Sequence, residues 1–217
     1  MRANKLLAVA LTLGLMVLAM SKLLAAPRGH NSGAQVIAIP EDNPALEFVG
    51  QFINTGTSSH QFGYIARIDG LDQVFNNATT QNESTAMFTF STDATTVHVF
   101  VNGPLKIVER TGTTTIYFNP VGGARFADPS SFQAGTPIMV SDYRQQVVAD
   151  TTTNPFVTTH LNTITANESF QLSGTEYRLG TRHQSFRTHY LGHAIDPAAP
   201  ASGWFGGNAV GVDGDND

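Results

Sequence analysis

The densest chemistry in this chain lies in one segment, Arg182-His183-Gln184-Ser185-Phe186-Arg187-Thr188-His189-Tyr190-Leu191-Gly192-His193. Imidazoles titrate near neutral pH and bind metals, so three of them close together invite an acid–base or metal reading. If the segment is one extended strand, alternate side chains share a face. Positions 183, 185, 187, 189 and 193 then present three histidines, an arginine and a serine to the same side. Strand rise puts His183 and His189 about 20 Å apart, and His189 and His193 about 13 Å apart. Neither pair can share an ion, so no metal site is expected. Two arrangements remain. Arg187 and His189 line a cavity and offer donors to an acidic or carbonyl-bearing ligand. Alternatively the face looks outward to water, while Phe186 and Tyr190 on the opposite face pack inward.

His98 and His160 each interrupt an apolar or Thr-rich extended stretch. Either could form an acid–base pair with Glu109, Asp142 or Glu176, or serve simply as a structural strand histidine. The five tyrosines, Tyr117 among them, could supply cavity hydroxyls or half-buried packing groups. Arg187, His189, His98, Tyr117 and His160 are therefore the candidate ligand-binding residues. The tail Asp213-Gly214-Asp215-Asn216-Asp217 imitates the first half of a calcium loop but lacks the bidentate acid that completes one, and it reads as an acidic chain end. No Gly-x-Ser-x-Gly elbow, His-Glu-x-x-His or phosphate-cradling glycine loop is present. With no cysteine, a catalytic thiol, an iron–sulfur cluster and a thiolate zinc site are excluded, and no cofactor is expected.

The elements that must position these residues are strands. Apolar residues recur at period two: Ala86, Phe88 and Phe90 oppose Thr85, Met87, Thr89 and Ser91, and Val97, Val99 and Val101 oppose Thr96, His98 and Phe100. Asn102-Gly103 tolerates the positive φ of a tight hairpin and turns the chain into Leu105–Glu109. Thr111-Gly112 is expected to turn it again, into Thr114, Ile116 and Phe118. These four short strands form a meander. Further strands are expected at Glu47–Ile53 and Gln61–Ile68 before it, and at Pro137–Ala149, Phe156–Ala166 and Glu176–Leu191 after it. Abundant threonine suits pleated, half-solvated surfaces.

The expected fold is thus all-β: an antiparallel eight- to nine-stranded barrel, or two packed sheets, since bare edges invite aggregation. Sequential hairpins favour the up-and-down barrel, and the irregular stretch from Val121 to Gly135 is placed over one mouth. Such a barrel resembles lipocalins and the allene-oxide-cyclase type in architecture alone. The Gly-x-Trp signature that opens lipocalins is missing, and the single tryptophan, Trp204, stands near the C-terminus.

The ends set the address. Arg2 and Lys5 precede an apolar run from Leu6 to Met20, and small residues follow at Ser21, Ala25 and Ala26. That is the form of a secretory signal, shorter than the ~20 residues of a spanning helix. Residues 1–26 are read as signal peptide, 27–44 as an extended arm, 45–195 as the barrel domain and 196–217 as a Gly/Pro/Asp-rich C-terminal segment. The mature chain is expected outside the cell or in the periplasm. Losing Arg2, Lys5 and Lys22 with the signal leaves nine basic against 17 acidic residues, a net charge of −8. Nucleic acid and anionic membrane surfaces are poor partners for such a chain. Three Asn-x-Ser/Thr triplets, at Asn77, Asn82 and Asn167, are ordinary for a Thr-rich sequence.

Three functions fit this frame. The first is a secreted barrel holding a small, largely apolar ligand. The second is a cofactor-independent cyclase or isomerase, which needs an interior histidine within reach of a carboxylate. The third is a structural or adhesive module that meets other copies of itself as a homo-oligomer.

Overall fold

Period-two alternation and β-branched residues build strands throughout residues 33–196, 198 and 201–212, the part of the chain that the computed structural model describes. The expected signal segment, residues 27–32 of the arm and the acidic tail lie outside these residues. A short strand, β1 (Gln35–Ile37), precedes the long ones: β2 (Leu46–Thr55), β3 (Ser58–Ile68), β4 (Phe88–Asn102), β5 (Leu105–Phe118), β6 (Thr136–Asp150) and β7 (Pro155–Asn167). Then come β8 (Ser169–Leu172), β9 (Thr175–Leu179), β10 (Ser185–Ala194) and β11 (Ser202–Gly211). Strands β2 to β7 with β10 and β11 close an antiparallel barrel in which β11 pairs back onto β2. Closure settles the choice between barrel and sandwich.

The β8–β9 hairpin leaves the barrel between β7 and β10, and β9 takes β1 alongside it in parallel. This small sheet packs against one end of the barrel. There Phe170 meets Phe88 and Phe118, with ring centroids 5.4 and 4.9 Å apart, and Ile39, Ile138, Ile164 and Leu179 are buried beside them. The other end is formed by four hairpins: β2–β3, β4–β5, β6–β7 and β10–β11.

Four local expectations change. The meander of four short strands is two long ones, because β4 and β5 each run unbroken on either side of Asn102-Gly103. Thr111-Gly112 does not turn: Gly112 sits within β5, where a Cβ would strike the Asp93 carbonyl and Ala94. Its glycine serves close strand approach, not positive φ. The strand expected at Glu176–Leu191 is instead β9 and β10, broken by Gly180 and His183 with φ of 64° and 69°. Finally, the stretch from Val121 to Gly135 does not cover a mouth. It lies along the outer wall, where Phe126 and Phe132 pack on Phe62 with centroids 6.2 and 5.4 Å away. The Phe132 carbonyl accepts from Thr89 Oγ1 at 2.7 Å.

The Gly-rich C-terminal segment contributes β11. Gly203 and Gly207 face inward and leave room for rings: a Cβ on Gly203 would strike Phe52, and one on Gly207 would meet Tyr190 Cβ at 2.5 Å. Small residues on one wall seat large ones from another, so the barrel holds many aromatics without bulging.

Candidate functional site

Inward-facing residues of the barrel are stacked in layers, and one layer is polar. Tyr190 on β10 reaches the middle of the barrel, where its hydroxyl donates to Gln61 Oε1 on β3 at 2.9 Å. Gln61 Nε2 donates to Gln145 Oε1 on β6 at 3.4 Å, and Gln145 Nε2 donates back to the Tyr190 oxygen at 2.9 Å. Donors and acceptors therefore run in one direction around a closed ring of three side chains. His160 Nε2 on β7 lies 3.0 Å from the same phenol oxygen. Because the phenol proton is committed to Gln61, His160 takes the tautomer with its proton on Nε2 and donates. Tyr143 stacks on the His160 ring, with centroids 4.5 Å apart and planes within 6°.

Burial sets the charge state of this layer. Desolvation, reinforced by the Arg110 guanidinium, pushes His160 down to about 3, so the ring is neutral in ordinary buffers. Desolvation likewise raises the Tyr143 and Tyr190 phenols, which keep their protons. Arg110 on β5 is half-buried above the layer, and burial lowers its pKa. A guanidinium starts so high that it stays charged regardless.

Between this layer and the hairpin end lies a cavity of about 220 Å³. Phe52, Phe156 and Phe205 form its aromatic wall, Val108 and Val147 face them, and Gln61, Gln145 and Tyr190 make the floor. The rings touch edge to face, Phe52 to Phe156 at 5.5 Å and Phe156 to Tyr190 at 6.5 Å. Lys106, Asp150 and Thr152 stand at the rim, and Asp150 is held below the usual carboxylate range by its hydrogen bonds to Thr152. Asn154 ties the β6–β7 turn to the end of β10 by accepting from the Ala194 amide and donating to its carbonyl. Beneath the polar layer a second void of about 50 Å³ is lined by Phe48, Ile65, Phe90, Ile116 and Met139. One hydroxyl lining the upper cavity, Ser59 Oγ, is buried without a hydrogen-bond partner among the described residues. Unpaired buried hydroxyls are uncommon, and at a cavity wall they are available to a guest.

Of the five candidate residues, only His160 belongs to this interior. Arg187 and His189 are exposed on the outer face of β10, as His193 is, while Phe186 and Tyr190 point inward. His183 has left the strand altogether. His98 is exposed near the β4–β5 tip, its Nδ1 3.4 Å from Glu109 Oε2. Tyr117 is half-buried near the end of β5, beside Gly135 on the outer wall. Among the described residues no three His, Asp or Glu side chains are grouped to hold a metal ion.

The residues that sequence reasoning missed are Gln61, Arg110, Tyr143 and Gln145. Arg110 was hidden by the supposed turn at Thr111-Gly112. Once β5 is continuous, Val108, Arg110, Ile116 and Phe118 share one face, and a charge among apolar face-mates is a signal that the period alone could have given. No protein family, curated protein or solved structure matches this chain.

Proposed function

We propose that the mature chain is a secreted binding protein whose barrel holds one small, largely apolar molecule in the cavity at its hairpin end. One observation carries this reading. The space between Phe52, Phe156 and Phe205 and the Tyr190 layer stays open to about 220 Å³, against about 50 Å³ for the void beneath that layer. Eight-stranded barrels have room for one such guest. The aromatic wall supplies apolar contact, and the fixed amides of the floor supply orientation. The acidic mature charge fits a small-molecule partner better than nucleic acid.

A cyclase or isomerase draws less support from the same geometry. Its acid–base pair should sit inside the barrel, yet the histidine–carboxylate pairs, His60 with Asp93 and His98 with Glu109, involve exposed carboxylates away from the polar layer. His160 is bound to a phenol and held neutral. A contact between copies is favoured by a different feature, the exposed Val99, Phe100, Val101 and Leu105 at the β4–β5 tip. Light scattering over a range of concentrations tests it, and a monomer throughout would end that reading.

Native mass spectrometry of protein recovered from its own secretion tests the main proposal. The expected spectrum is a chain shortened at its N-terminus carrying a small, releasable adduct. A bare chain that also fails to take up 1-octanol would overturn it.

A further inference from the structure

Two cations line the cavity, Lys106 at its rim and Arg110 half-buried behind it, and among the described residues no carboxylate pairs with Arg110. Arg110 Nε donates to Thr96 Oγ1 at 3.3 Å and one terminal nitrogen donates to Asn54 Oδ1 at 3.4 Å. Both are long bonds to neutral oxygens. No carboxylate lies within 4 Å of the guanidinium among the described residues, although acids are close by in sequence and register. Glu109 points to the outer wall and pairs with His98, and Asp93 pairs with His60 at 2.9 Å. Asp150 at the rim is engaged by Thr152 at 2.6 and 2.8 Å. Strand alternation explains the pattern: in β5 even positions face in and odd positions face out, so Arg110 is inside and Glu109 is not. A half-buried charge without a counter-ion is costly to maintain, and its remaining donors are directed by a planar fork that matches a carboxylate.

We infer that the ligand is a small amphipathic carboxylate whose head docks on Arg110 and whose apolar body lies against Phe52, Phe156 and Phe205. This rests on the proposed binding role and narrows its ligand class. The volume of about 220 Å³ equals roughly seven waters of liquid, enough for a body of about ten non-hydrogen atoms. The Ser59 hydroxyl lines the same space and can serve the second oxygen or a substituent. A dianion such as phosphate fits less well, because a single arginine beside an aromatic wall cannot replace its hydration.

Calorimetric titration of the mature protein with octanoate, octanamide and 1-octanol separates the possibilities, since the three share a chain and differ in the head. Octanoate should bind about tenfold more tightly than either neutral analogue, as a charge-assisted pair replaces neutral contacts. In Arg110→Met, which keeps an apolar stem, that preference should vanish while 1-octanol affinity stays within about threefold. Arg110→Lys should recover part of the preference. Equal binding of all three by the wild type would overturn the carboxylate assignment and leave the apolar cavity standing. Binding of none would overturn both. The wild-type comparison decides the matter even if Arg110→Met fails to fold.

Discussion

The two ends of the barrel are built from the same strands and filled in opposite ways. At the end covered by β1, β8 and β9, Phe88, Phe118 and Phe170 interlock over Ile138, Ile164 and Leu179. At the hairpin end the filling stops at a layer of amides, phenols and an imidazole, and a cavity begins. The hydrogen-bonded wall runs without a break past both. Closure therefore fixes the wall, and the inward side chains decide what each end is for. The difference teaches that packing density is concentrated where the chain needs stability and relaxed where it offers space.

That contrast can be broken by deleting bulk from each end. Phe88 is 0% exposed at the plugged end, so Phe88→Ala should cost about 3–5 kcal/mol in urea unfolding. Val108→Ala at the cavity wall should cost about 1 kcal/mol, because it enlarges a space that already exists. Equal losses would mean that the two ends are packed alike. Next in size is Tyr190→Phe. The rings still pack, but Gln61 loses a donor, and Gln145 and His160 lose their acceptor, inside the barrel. A loss of about 2–3 kcal/mol is expected by the same measurement. A neutral result would show that the polar layer is bridged in some other way.

How much of this contrast the sequence disclosed depends on the element. The barrel and most of its strands follow from alternation in segments such as Phe88–Ser91 and Pro137–Ala149. The outward histidines of β10 are one of the two arrangements that alternation allows. Glycine is ambiguous twice: Thr111-Gly112 has the composition of a turn although Gly112 is a close approach, and Gly180 ends a strand inside the continuous stretch Glu176–Leu191. Local pattern cannot distinguish these uses, because the atoms that crowd Gly112 belong to β4. The polar ring is equally hidden. Its members lie up to 129 residues apart in sequence, and only closure of the barrel brings Gln61 to Tyr190.

A pH titration sharpens the contrast further. His160 is pushed down to about 3 in the folded chain, against about 6.5 when unfolded. Between those values the unfolded chain binds the additional proton, so stability is full above about 6.5 and falls as the solution is acidified. The slope from this group approaches about 1.4 kcal/mol per pH unit toward pH 4. Urea midpoints from pH 7 to pH 4 should show it, and His160→Gln should flatten that part of the curve. An unchanged slope in the variant would assign acid sensitivity to other groups.

The smallest effect separates inner from outer wall on a single strand. Arg187 and His189 flank Thr188 and Tyr190 on β10, so they share its backbone pairing but not its interior. His189 Nδ1 lies 3.4 Å from Thr159 Oγ1 across the strand, a marginal contact in water. Replacing both with alanine should move stability by less than about 0.5 kcal/mol, the range for surface positions without buried partners. It should leave octanoate affinity unchanged, whereas Arg110→Met abolishes the preference for the acid. If the outer pair altered binding as Arg110 does, the ligand would sit on the wall's outside, and the open end would be an unfilled interior with no bearing on recognition.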